Sequence, residues 1–181
     1  IQSASQKGYS VLKMDNMIDS HFINTIETKI EKTQWKRVDA DAVDKLIDTG
    51  INLEAILTDA QKESVKKVFE DTLQDKQKIV AVEAMSPEEL PAIVTQNEFM
   101  RRMSDMSKTG GGGMGMFGAM PNTYNITINA NHPLISKLAD LKDESEQKAL
   151  AKQISDLALL SQNLLTGADL TAFIKRTVGG F

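Results

Sequence analysis

From Glu144 to Phe181 apolar residues recur too densely for a single helical stripe. The run Ala149 to Leu160 contains no Pro or Gly, and Leu150, Ile154, Leu157 and Leu164 return at helical spacing. Ala158, Leu159, Leu160 and Leu165 are apolar too and point to other sides of the same helix. A surface helix needs one apolar stripe, whereas a helix apolar on several sides needs cover on several sides. Gly167 supplies a stop and Asp169 an N-cap for a second helix, in which Leu170, Phe173, Ile174 and Val178 form a stripe with Lys175 and Arg176 off it. A tight hairpin covers only one side of each helix. Two readings are open for the remaining leucines: the rest of the chain covers them, or a second copy of the hairpin does, as a four-helix bundle about a two-fold axis. In the second reading Leu157, Leu160, Leu164, Leu165, Leu170, Phe173 and Ile174 form a homodimer interface.

Upstream the pattern alternates between helix and strand periods. Ser3 to Lys7 reads as a helix tail closed by Gly8, and Tyr9 to Met14 as a short buried strand. Ile18, Phe22, Ile23, Ile26 and Ile30 mark a helix whose start, with Asp15 and Asp19, suits the helix dipole. Gln34 to Val38 reads as a second strand, giving a unit with a right-handed crossover that is too small to be a domain. Asp39 to Asp59 is irregular. Thr58 or Asp59 caps a helix running to about Gln74, with Val65, Val68, Phe69 and Leu73 on one side. Ile79 to Ala84 and Ala92 to Thr95 read as strands, separated by a single turn at Ser86-Pro87-Glu88-Glu89. Asn97 to Lys108 is helical, and Gly110 to Met120 is a Gly/Met loop. Tyr124 to Asn129 alternates as a half-buried strand, and His132-Pro133 opens a helix through Leu138 and Leu141. The predicted fold class is α+β.

Composition narrows the function classes. The 181 residues are 41% hydrophobic but only 5% aromatic, so the core is aliphatic. With 21 basic and 25 acidic residues and no basic block, nucleic acid is not an expected partner. The absence of Cys excludes disulfides, thiol catalysis and cysteine-zinc sites. No apolar run approaches the roughly 20 residues of a membrane helix, and no signal peptide is visible. The chain begins at Ile1, part-way through a polar segment, and is expected to be a piece of a longer protein.

Candidate chemistry is sparse. The four glycines from Gly110 follow Lys108-Thr109 rather than preceding a Lys, the reverse of a phosphate loop, and read as a flexible linker. Asp39, Asp41 and Asp44 resemble the start of a calcium loop, but Asp44 and Gly50 stand where Gly and Glu are required. His21 and His132 lie far apart without clustered ligands, so no metal is expected. His21 reads as packed and His132 as a capping residue. No catalytic constellation is present. Six of the nine methionines fall between Met100 and Met120. Arg101, Arg102, Ser104, Asp105 and Lys108 make the helix around Met100, Met103 and Met106 amphipathic. Either these side chains pack in a core or, with Phe99, Met114, Met116 and Phe117, they form an adaptable apolar surface.

Several segments together carry a resemblance. They are Asp19-Ser20-His21-Phe22, Ser86-Pro87 through Pro91-Ala92-Ile93-Val94, Ile128-Asn129-Ala130-Asn131-His132-Pro133-Leu134-Ile135 and the terminal leucine-rich hairpin. The chain resembles the heat-shock protein 90 family of chaperones, of the bacterial HtpG type, over essentially its whole length. The resemblance implies the end of the family's middle domain, a small α/β/α part, over residues 1–57. It implies a C-terminal dimerisation domain over 58–181, with a small sheet and a helical hairpin that forms a four-helix dimer bundle. It further implies a cytoplasmic ATP-driven homodimer whose ATP and magnesium site lies outside this chain, which itself binds no cofactor and catalyses nothing. By position in the family pattern, Phe99, Met100, Met103 and Met106 are expected to hold unfolded client proteins, with Met114, Met116 and Phe117 in an insertion that departs from the common pattern. The chain ends at Phe181 without an acidic Met-Glu-Glu-Val-Asp type tail, so docking of tetratricopeptide co-chaperones is not expected. The competing reading is a stand-alone homodimeric scaffold with a Met-rich groove for one partner.

Overall fold

The computed structural model describes residues 1, 4–5, 8–14, 16, 18–32, 35, 38, 53–73, 79–95 and 124–179. The chain forms two compact units, Ile1–Thr49 and Gly50–Phe181. In the first, helix α1 spans Asp19–Lys29, and the Asp19 carboxylate accepts from the Asn16 N–H at 2.8 Å. This carboxylate satisfies a backbone donor just ahead of the helix and meets the positive end of its dipole. Ile23 and Ile26 are half-buried, while Ile18, Phe22 and Ile30 are exposed. The expected strand at Tyr9–Met14 is not formed: this stretch has no ladder partner among the described residues, and Leu12 faces solvent. A strand needs its backbone groups paired by a neighbour. Of the expected strand at 34–38, only Trp35 and Val38 are described, and neither is in a strand.

The second unit is α+β. Its elements are α2 (Asp59–Leu73), β1 (Ile79–Glu83), β2 (Ala92–Thr95), β3 (Asn125–Asn129), α3 (Pro133–Asp140), α4 (Glu144–Ser161) and α5 (Gly167–Gly179). The strands form one mixed sheet in the order β1-β3-β2, with β1 parallel and β2 antiparallel to β3. In this register Val80, Val82, Ile126, Ile128, Ala92 and Val94 share one side of the sheet. Helix α2 packs over β1, and α4 packs over β2 and against α2. Val65 and Phe69 from α2, Ile135 and Leu138 from α3, and Ala151, Ile154 and Ala158 from α4 close the core. The apolar alternation of β3 predicts burial on one side only. As the central strand it is buried on both, Thr127 and Asn129 included.

Caps account for the helix starts. The Thr58 hydroxyl accepts from the Gln61 N–H at 3.3 Å, and the Gln61 side chain accepts from the Thr58 N–H at 3.0 Å, a reciprocal capping box. His132 Nδ1 accepts from the Leu134 N–H at 3.0 Å, with Pro133 at the first helical position. Asp143 Oδ1 accepts from Ser145 and Glu146 at 2.8 and 3.0 Å. Gln147 donates back to the Leu141 carbonyl at 2.8 Å, tying the start of α4 to the end of α3.

Between β3 and α3 the Asn129-Ala130-Asn131 segment is a buried polar knot. Asn129 Nδ2 donates to the Ser86 carbonyl at 2.8 Å, and its Oδ1 accepts from the Asn131 N–H at 3.0 Å. Asn131 Nδ2 donates to the carbonyls of Glu54 and Met85 at 3.0 and 3.1 Å, and its Oδ1 accepts from the Ile56 N–H at 2.7 Å. Both asparagines are buried, so a lost bond leaves the amide itself, and at Met85 the backbone carbonyl, without a partner away from water.

Two outcomes follow from this geometry. Asn131→Ala is expected to cost about 1–3 kcal/mol, because the buried Met85 carbonyl and the partly buried Glu54 and Ile56 groups lose their partner together. Urea unfolding measures the cost, and amide exchange should show Ile56 opening first. The second concerns pH. Burial holds the His132 imidazole below its ordinary value of 6.5. Unfolding therefore takes up a proton as pH falls below that value. The stabilisation from neutral His132 is complete above about pH 6.5 and is lost as pH drops through the lowered value. The urea midpoint should fall from pH 7.5 to pH 5.5 more in the parent than in His132→Asn, which keeps an acceptor at the cap without titrating.

Candidate functional site

The α4–α5 hairpin is the best-defined candidate surface. Helix α4 turns the side carrying Ala151, Ile154, Ser155, Ala158 and Leu159 inward. Three of these five are small, which lets the helix axis approach the sheet closely. Of the apolar residues at helical spacing, Ile154 is buried, Leu150 and Leu164 are partly buried, and Leu157 is largely exposed.

The end of α4 also lies earlier than Gly167. The Asn163 N–H donates to the Leu160 carbonyl at 3.0 Å, and the Leu164 N–H to the Leu159 carbonyl at 2.9 Å. Asn163 has φ 56°, and the pair of bonds is a Schellman motif with Asn in the left-handed position usually held by Gly. Gly167, at φ 60°, begins α5 rather than ending α4. A side chain added there meets no atom within 4 Å, so the backbone angle and not crowding favours glycine.

Polar groups join the two helices. Asp156 is fully buried; its Oδ2 accepts from Arg176 Nη2 at 2.6 Å and its Oδ1 from Lys152 Nζ at 2.5 Å. Arg176 Nε also donates to Gln153 Oε1 at 3.0 Å, and Gln153 Nε2 donates to Thr177 Oγ1 at 3.3 Å. The guanidinium carbon lies 5.7 Å from the centre of the Phe173 ring, within reach of a cation–π contact. This network has one sequence signal: Asp156 is the only charged residue between Gln153 and Leu160. The apolar pattern gives Arg176 no role.

The residues expected at a dimer interface divide into three groups. Leu165 and Phe173 are buried in the protomer's own core, and Leu164 and Leu170 are partly buried against it. Leu157, Leu160 and Ile174 are 47%, 37% and 51% exposed, and Val178 adds a fourth apolar side chain at 68%. The client-surface candidates Phe99, Met100, Met103, Met106, Met114, Met116 and Phe117 lie outside the described residues, as do the glycine run and Asp39, Asp41 and Asp44. Among the described residues no group of three or more His, Asp or Glu side chains could hold a metal ion. No described helix is long and apolar enough to cross a membrane.

Comparison with known proteins identifies the lineage. A chaperone protein HtpG of Porphyromonas gingivalis is 37% identical over 163 residues, 88% of this chain and 24% of that protein. The chain belongs to the HtpG type of the heat-shock protein 90 family. An HtpG of Bacteroides fragilis is 33% identical over 154 residues, 83% of the chain and 22% of the relative. An HtpG of Treponema denticola is 28% identical over 180 residues, 94% of the chain and 26% of the relative. The chain thus spans about a quarter of the length of the HtpG proteins it matches. No protein-family model matches it. In this HtpG segment the Asn129-Ala130-Asn131-His132-Pro133 run is the buried knot and helix cap, and the terminal hairpin carries four of the exposed apolar groups.

The hairpin turn is testable on its own. Asn163→Ala should destabilise the second unit by about 1 kcal/mol, the usual scale for a left-handed residue with a Cβ and no local polar compensation. Asn163→Gly should be neutral or stabilising. Thermal melts followed by circular dichroism separate the two.

Proposed function

We propose that this segment is the homodimerisation element, and part of the client-holding surface, of an ATP-driven HtpG chaperone acting in the cytoplasm. The observation that carries the reading is the apolar set Leu157, Leu160, Ile174 and Val178, exposed on a hairpin whose other side is already packed. Exposed aliphatic side chains on two consecutive helices favour cover by another molecule. A second copy supplies the same set across a two-fold axis, so each leucine meets an apolar partner. Unfolded clients bind through Phe99, Met100, Met103 and Met106, and through Met114, Met116 and Phe117. Met suits this role because its flexible thioether adapts to many shapes. ATP and magnesium act elsewhere in the full-length chaperone, and this segment transmits their effect by holding two protomers together.

The reading is tested on the dimer. Replacing Leu157 and Leu160 together with Ser should change protomer stability little, since both are largely exposed. Their loss from both protomers should cost association about 4 kcal/mol, close to a thousandfold in Kd. Ile135→Val, deep in the core, should do the reverse: it lowers the urea midpoint and leaves association of folded molecules unchanged. Sedimentation equilibrium decides. A parent chain that is monomeric at tens of micromolar, or a double variant that associates as tightly as the parent, overturns the reading.

A further inference from the structure

We propose that Asp156, held between Lys152 and Arg176, is the positioning residue of the apolar face that α4 and α5 present to a second copy of this chain. The inference rests on the homodimer reading and adds what sets the geometry of that face. Helix α5 has a single buried side chain, Phe173, with Leu170 partly buried one turn before it. These two apolar contacts fix how near α5 lies to α4 but set its rotation and tilt less sharply than directional bonds do. Rotation matters, because a one-residue turn of a helix swings its side chains by about 100°. A turn of that size would reorient Ile174 and Val178 relative to Leu157 and Leu160.

The other ties from α5 to α4 are polar and converge on Arg176. Its fork bonds Asp156 and Gln153 at 2.6 and 3.0 Å, and Gln153 reaches Thr177 at 3.3 Å. A planar guanidinium bonded to two acceptors fixes direction as well as distance. Phe173, Arg176 and Thr177 follow i, i+3, i+4 spacing, so one side of α5 is locked against one side of α4. On α4 the lock sits directly below the apolar groups: Leu157 follows Gln153 by one turn, and Leu160 follows Asp156 by one turn. Burial alone would be served equally by a leucine at 156, and a buried ion pair adds little net stability over such a replacement. The buried carboxylate gives what a leucine lacks, an orientation for α5.

The test is sedimentation equilibrium of the parent, Asp156→Asn, Asp156→Leu and Arg176→Lys, with the urea midpoint of each followed by circular dichroism. Asp156→Asn keeps the shape and removes the charge; Asp156→Leu keeps the burial and removes the orientation; Arg176→Lys keeps the charge and removes the fork. All should dimerise at least about tenfold more weakly than the parent, roughly 1.4 kcal/mol. Asp156→Leu should do so with a urea midpoint near the parent's, which a merely structural role would not give. If Asp156→Asn fails to fold, Arg176→Lys decides alone: a weaker dimer supports the inference, and an unchanged one overturns it. A folded Asp156 variant with parental affinity overturns the clamp while leaving the homodimer reading intact. A monomeric parent overturns both.

Discussion

The side-chain amide of Asn131 accepts from the Ile56 N–H and donates to the Glu54 and Met85 carbonyls, joining positions 75, 77 and 46 residues away in sequence. These partners belong to irregular segments at one end of the sheet, where no ladder can satisfy their backbone groups. Asn129 repeats the arrangement on the Ser86 carbonyl and also orients Asn131 through its backbone N–H. An amide suits the position because it offers donors and an acceptor from one short, uncharged side chain. A carboxylate would repel the two carbonyls, and an apolar residue would leave them bare. With this knot formed, the approach to α2, the turn after β1 and the start of α3 converge on one place, and the core helices begin from a fixed end of the sheet.

From that end the packing sorts the apolar residues of the terminal hairpin. The sheet side presents branched aliphatics, Val80, Val94, Ile126 and Ile128, which stand tall on the strands. Helix α4 meets them with Ala151, Ser155 and Ala158, and the small side chains bring the helix close enough for Ile154 and Leu159 to fill the sides. Leucines in those three positions would overpack the layer. The large residues Leu157 and Leu160 consequently fall on the remote side of the helix. Exposure of the leucines and close packing of the helix on its own sheet are two results of one size pattern.

Much of the second unit was legible in the sequence. The strands at Ile79–Glu83, Ala92–Thr95 and Asn125–Asn129, the helices from Asp59 and Pro133, and the helical run Ala149 to Leu160 follow from periodicity and from turn residues. Three features were not legible, each for a physical reason. Periodicity finds apolar residues at helical spacing but does not weigh size, so it does not single out Ala151 and Ala158 as core positions. The stop at Asn163 hides because Asn enters the left-handed region less often than Gly, and the nearby Gly167 is the stronger signal. The Asp156–Arg176 tie spans 20 residues, beyond any local pattern, and shows only as one acid within an apolar run. In the first unit the expected strand at Tyr9–Met14 failed because a strand is defined by its partner, which local sequence does not supply.

Two of the segments that carry the family resemblance are built under different physical demands. The Asn129 to Leu134 run meets demands that few residues satisfy: two buried amides with fixed partners, a helix cap and a proline at the first helical position. The exposed side of the terminal hairpin needs only apolar bulk at Leu157, Leu160, Ile174 and Val178, which several residue types provide. What distinguishes that side is geometric: apolar groups left uncovered on helices whose opposite sides are filled, beside a buried carboxylate that ties the two helices together.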